Sequence, residues 1–295
     1  MPKDHYLQAV RGAAITAVVL IHCLPQCDVS VALRPLLNWA VAAFLFLSGL
    51  LTAEARIARG GVLGRRIRRT LPPYVVWSLA YALLPQDSSV LGALKALLTA
   101  GASAQMYFVA VYLQLTMLTP LLYRLLARCP WLVYAITPLS LAAYEVLTAS
   151  GIALTVLGRL FPMWLVFYVV GLDWKRWRDR LHGKLGAALI ALGACLAIQL
   201  ACGFTWLRFG DYNMATTQLK LSSVATSLCV IAVIMLLLTS GKRRLSESFL
   251  ADVGDASFGI CLCHIFVLAV VRKDLAFFAL PSASVLAPRC CGCSR

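Results

Sequence analysis

Nine stretches of the chain are apolar over enough residues to be read as bilayer crossings, near 9–27, 36–53, 73–85, 106–123, 131–149, 161–172, 185–203, 221–240 and 256–271. A tenth, weaker one lies near 275–288. The stretches at 73–85 and 161–172 are short, and are expected to borrow neighbouring residues or to sit behind other helices. No period of 20 to 50 residues repeats and no Pro/Gly/Ser-rich linker sets off a soluble part. The pattern therefore predicts an all-α, polytopic integral membrane helical bundle of about ten transmembrane helices, forming one membrane-embedded domain over residues 1–295. Polar loops are short. The largest are "TAEARIARGGVLGRRIRRTLPP" and "FTWLRFGDYNMATTQLK", so any chemistry must be built from span interiors and loop ends.

Composition agrees with the pattern. The residues are 61% hydrophobic and 13% charged, with a mean hydropathy of +0.83, which excludes a soluble globular domain of ordinary composition. The net charge of +15 raises the question of nucleic acid, and the positions of the cations answer it. With the spans alternating from a cytoplasmic N-terminus, nineteen cations fall inside: Lys3, six between Arg56 and Arg69, Arg124 and Arg128, five between Lys175 and Lys184, the three of "GKRR", Arg289 and Arg295. Seven fall on the other side (Arg34, Lys95, Arg159, Arg208, Lys220, Arg272 and Lys273), and Arg11 lies within the first span. The positive-inside rule selects this register. It predicts a multi-pass protein of the plasma or inner membrane with both termini cytoplasmic. The basic excess is thus topology, with membrane lipid headgroups as partners and no nucleic acid.

The eleven cysteines lie mostly in spans, as Cys195, Cys229 and Cys261 do, and read as small apolar side chains. Cys23 and Cys27 stand four positions apart, a poor disulfide geometry along a helix. The tail "RCCGCSR" has no His or further Cys pair to complete a zinc site, so no metal is expected. The first apolar stretch lacks a small-residue cleavage site and is expected to persist as an anchor.

Ionisable residues inside a bilayer are costly unless they face a partner or a watery cavity, so Arg11, His22, Glu145 and His264 stand out. Arg11 and His22 bracket "RGAAITAVVLIH". Eleven steps at about 100° make roughly three turns, so both project from one helix face with about 16 Å of rise between them. Arg11 can alternatively snorkel to the interface, and His22 can donate to a backbone carbonyl. Glu145 reads as an interfacial carboxylate and His264 as a packing group between helices. "GRRIRRTLPPY" sets four arginines before a span entered through Pro72 and Pro73. That cluster is a topology anchor or, because guanidinium forks suit phosphates, a site for a phosphate-rich ligand.

These pieces together resemble the membrane-bound acyltransferase-3 family, of the surface-polysaccharide O-acyltransferase type. The resemblance rests on "RGAAITAVVLIH", "AAFLFLSGLL", "RRIRRTLPPYVVW", "MYFVAVYLQLTMLTPLL", "FPMWLVFYVVGL" and "ASFGICLCHIFVL", in this order and spacing over nearly the whole chain. It implies transfer of an acyl group, commonly acetyl, from cytoplasmic acyl-CoA to a hydroxyl of a cell-surface glycan or lipid-linked sugar. It also implies that Arg11 and His22 are the essential pair and that Arg66 and Arg69 are the RxxR that binds the donor. Tyr107 and Phe108 stand where family members often carry Trp-Phe. Tyr107, Gln114 and Glu145 are the candidate acceptor contacts. The last span is short and the tail "APRCCGCSR" reads as truncated or frame-shifted. A secondary transporter with His22 as proton relay, or an inactive membrane scaffold, are the competing readings.

Overall fold

Asp4 opens the first helix, its carboxylate accepting from the backbone N–H of Tyr6 at 3.0 Å and of Leu7 at 3.4 Å, two donors that a helix N-terminus leaves over. The computed structural model describes residues 4–52, 61–83, 89–152, 156–239 and 249–277. The helices in chain order are α1 (His5–Cys23), α2 (Asp28–Leu37), α3 (Trp39–Leu50), α4 (Val62–Leu83), α5 (Val90–Leu98), α6 (Met106–Arg128), α7 (Pro130–Ala149), α8 (Leu165–Leu172), α9 (Trp174–Leu181), α10 (Leu185–Arg208), α11 (Tyr212–Thr216), α12 (Leu221–Thr239) and α13 (Phe249–Phe277). Two short 3₁₀ turns, Leu157–Arg159 and Phe161–Met163, precede α8. The described residues form no strand, so the chain is an all-α polytopic bundle.

Among the described residues, seven segments are long and apolar enough to cross a membrane: His5–Cys23, Asp28–Leu50, Met106–Arg128, Pro130–Ala149, Leu185–Arg208, Tyr212–Leu238 and Phe249–Arg272. The two stretches that read as short behave differently from these seven. The 73–85 stretch is the apolar second half of α4, whose first half carries the arginines. The 161–172 stretch contracts to the eight-residue α8, in which Leu165, Val166, Phe167, Tyr168 and Val169 are all buried. A helix apolar all round belongs inside a bundle. α10 is the opposite case, apolar yet largely exposed, which suits contact with lipid. The 275–288 stretch lies almost wholly outside the described residues, as do Lys3, Arg56, Arg59, "GKRR" and the tail from Arg289 to Arg295.

One boundary differs from the sequence reading in a way that matters. The second span begins at Asp28 rather than near residue 36, continuing from α2 into α3 through Asn38. Arg34 and Pro35 look like a stop. The helix passes them because the Arg34 side chain enters a protein cavity instead of lipid.

Glycines set two close helix crossings. A Cβ on Gly12 of α1 would run into the carbonyl of Leu250, and one on Gly254 of α13 into that of Gln8, so the two helices touch backbone to backbone. The α3–α8 pair repeats the device with Gly49 against Tyr168 and Gly171 against Phe46. α1 and α3 are thereby fixed at the centre, in a core that includes Ile15, Leu45, Phe46, Leu115 and Phe167.

Candidate active site

α1 carries Arg11 and His22 into two different cavities. Arg11 lines one of about 490 Å³, together with Gln8, Ser48, Arg66, Arg69 and Asp255. Nη1 of Arg11 donates to Gln8 Oε1 at 3.4 Å. Arg66 is braced against the end of α3, with Nη1 donating to Thr52 Oγ1 at 2.6 Å and Nη2 to the Leu51 carbonyl at 3.1 Å. Tyr123 donates to the Thr52 carbonyl at 2.9 Å and holds the same corner from α6. Arg69, one turn on from Arg66, is exposed.

Three guanidinium groups thus share one cavity with one carboxylate, Asp255, which attracts Arg11 while Arg69 repels it. The hydroxyls of Ser48 and Ser257 line the same cavity, buried and without a hydrogen-bond partner. Buried polar atoms are nearly always satisfied, so cations in excess beside unspent hydroxyls describe a site shaped for an oxygen-rich anion.

His22 lines a second cavity of about 380 Å³ with Arg34, Tyr107, Arg159 and Trp164. Its ring lies 5.1 Å, centroid to centroid, from that of His264 on α13. His264 Nδ1 sits 3.0 Å from the carbonyl of Ile260 and 2.9 Å from that of Cys261. Those carbonyls only accept, so Nδ1 carries the proton and the buried, unpartnered Nε2 is an acceptor. Arg272 donates to the His22 carbonyl at 2.7 Å and pins the end of α1. Tyr107 and Phe108 are consecutive on α6, yet Tyr107 faces the His22 cavity and Phe108 the Arg11 cavity. The partition between the cavities is therefore thin at this point.

A family model described as an acyltransferase domain matches residues 4–292, essentially the whole chain. The chain belongs to the acyltransferase-3 family. No curated protein and no solved structure matches it. The protein is accordingly a membrane acyltransferase, of the class that transfers groups other than aminoacyl groups. Among the described residues, no group of three or more His, Cys, Asp or Glu is placed to hold a metal ion.

Within this acyltransferase the sequence-derived residues divide. Arg11, Arg66 and Arg69 come together in one cavity, and His22 and Tyr107 in the other. Gln114 and Glu145 line neither. Gln114 spends both ends of its amide on the 3₁₀ turns, donating to the Arg159 carbonyl at 3.1 Å and accepting from the Phe161 N–H at 2.9 Å. Thr137 supports the same segment, donating to the Pro162 carbonyl at 2.8 Å and accepting from the Val166 N–H at 3.0 Å. Irregular backbone among apolar helices needs such partners. Glu145 accepts from the Leu221 N–H at 2.7 Å and caps the start of α12. Sequence reasoning missed Arg34, Arg159, Ser48 and Ser257 as cavity residues. The hydroxyls carry no sequence signal, and the two arginines read as flanking charges.

Proposed function

We propose that this acyltransferase moves an acetyl group from cytoplasmic acyl-CoA to a hydroxyl of a cell-surface glycan or lipid-linked sugar. The observation that carries the reading is the division of labour along α1: three arginines converge at one cavity and a histidine beside an aromatic stack lines the other. The Arg11 cavity faces the cytoplasm in the register set by the positive-inside rule. Arg66 and Arg69 hold donor phosphates there, and Arg11 meets a further phosphate oxygen. His22 takes the proton of the acceptor hydroxyl, whose oxygen forms the new ester bond at the acyl carbon. The C–S bond breaks and the electron pair leaves with the CoA sulfur. The His22 proton passes to that thiolate or to solvent.

The test is incubation of the purified protein in proteoliposomes with labelled acetyl-CoA and cell-envelope acceptors. Ester-linked label on a glycan supports the reading. Acceptor flux without acylation places a transporter first, and neither outcome would make the protein a scaffold.

A further inference from the structure

The His22 cavity is cationic and lacks a counter-charge. Arg34, Arg159 and His22 line it, and among the described residues no Asp or Glu does. Arg34 reaches it from α2 within a membrane-crossing segment, and its Nε is buried without a hydrogen-bond partner. A buried guanidinium N–H with nothing to donate to is costly, and an anionic oxygen is the acceptor that suits it best. Arg159 spends Nη1 on the Thr99 carbonyl at 3.0 Å, which leaves the rest of its fork available. Gly101 makes room for it, since a Cβ there would lie 2.8 Å from Arg159 Nη1.

Two further features define the rest of the ligand. Tyr107 and Trp164 stack at 5.5 Å with an interplanar angle of 26°, and Trp164 is fixed by donating from Nε1 to the Gly158 carbonyl at 2.8 Å. Such a pair offers a rigid apolar face with polar edges, which suits a sugar ring. Gln218 contributes a buried carbonyl oxygen, Oε1, that is also unpartnered and wants a hydroxyl donor. We propose that the acceptor is an anionic sugar, carrying a carboxylate or phosphate on or beside its ring, with Arg34 and Arg159 holding the anion and the reacting hydroxyl turned toward His22. The proposal rests on the assignment of this cavity to the acceptor.

The experiment measures binding without donor, so that it stands apart from acyl transfer. Purified protein in nanodiscs of phosphatidylcholine, a lipid whose headgroup carries no net charge, is titrated with methyl glucoside, methyl glucuronide and glucose 1-phosphate and followed by ligand-observed NMR. At least one anionic probe should bind about tenfold or more tightly than the glucoside, a difference of about 1.4 kcal/mol. Added salt should erode that preference, as it does for charges reachable by solvent. Arg34→Gln should reduce the preference below about twofold while Arg34→Lys retains most of it, because a point charge still attracts the anion. Thermal unfolding of each variant identifies the folded fraction, and Arg159→Gln is the second variant should Arg34→Gln fold poorly. The identity of the tighter anionic probe tells carboxylate from phosphate. Equal binding of all three probes, no binding of any, or a preference that survives in both Gln variants overturns the proposal. Failure of acyl transfer with every acceptor would count against the proposed reaction and leave the binding preference standing.

Discussion

Arg66 and Arg69 are one helical turn apart, yet replacing each by Gln should have different consequences. Arg66 is bonded to Thr52 Oγ1 and the Leu51 carbonyl, so its loss removes two contacts between α4 and the end of α3 as well as a donor contact. Arg69 is exposed and lines the cavity. A charge-assisted hydrogen bond is worth about 1.5–3 kcal/mol, or about 10- to 150-fold in affinity. Solvent around an exposed guanidinium argues for the lower end of that range, about tenfold. Arg69→Gln should therefore weaken acetyl-CoA binding about tenfold with no change in thermal unfolding. It should also flatten the salt dependence, since one fewer cation meets the donor. Arg66→Gln should weaken binding by a similar factor and lower the unfolding temperature, by about 2 °C if about 1 kcal/mol is lost. Calorimetric titration of acetyl-CoA into nanodiscs, paired with thermal scans, reads both quantities. Unchanged acetyl-CoA affinity in Arg69→Gln would refute the donor assignment and return the cluster to a topology anchor.

Three other outcomes follow from the same geometry. His22→Ala should leave expression and donor binding near normal and lower acyl transfer by about 10²–10⁴-fold, the usual contribution of positioned proton transfer, and full turnover in that variant would end the mechanism. Gly12→Val should cut the yield of folded protein sharply, because the added side chain meets the Leu250 backbone at a crossing with no room to relax, whereas Gly186→Val on α10, where a Cβ meets nothing, should be tolerated. A reporter inserted after Lys184 should act cytoplasmic and one near Asp211 external; the reverse pattern would turn the donor and acceptor sides around.

The long apolar runs are legible because a bilayer demands them: α1, α6, α7, α10 and α12 fall where hydropathy places them, while α11 extends the last of these into the stretch that reads as a polar loop. The pairing of Arg11 with His22 was legible because helix geometry alone puts them on one face. What periodicity does not carry is the direction in which a flanking cation points. Arg34 sits before Pro35 and an apolar run, the pattern of a topology flank, and only the packing of α2 against α11 and α1 turns it inward. Gln114 shows the converse. The sequence offers it as an acceptor contact, but the adjoining 3₁₀ turns leave backbone groups that need partners, and its amide meets them. The register of an irregular segment is set by the helices around it, so its need was invisible in the local sequence.

Placing the two charged groups of α1 in separate cavities imposes a constraint on the chemistry. Arg11 and His22 are about 16 Å apart along the helix, too far for one reacting carbonyl to touch both. On the proposed reaction, the donor's acyl end reaches toward His22 while its phosphates stay with the arginines. The partition it meets is made of Tyr107 and Phe108, which face opposite cavities, and of the turn of α13 that carries Cys261 and His264. That turn is held from α4 and α5–α6, because Tyr81 and Gln105 both donate to the Leu262 carbonyl, at 2.9 and 3.3 Å. The Phe266 N–H in turn donates to the Tyr81 hydroxyl at 3.1 Å. The wall is thus anchored on the α13 side by hydrogen bonds and on the α6 side by the stacking of Tyr107 on Trp164.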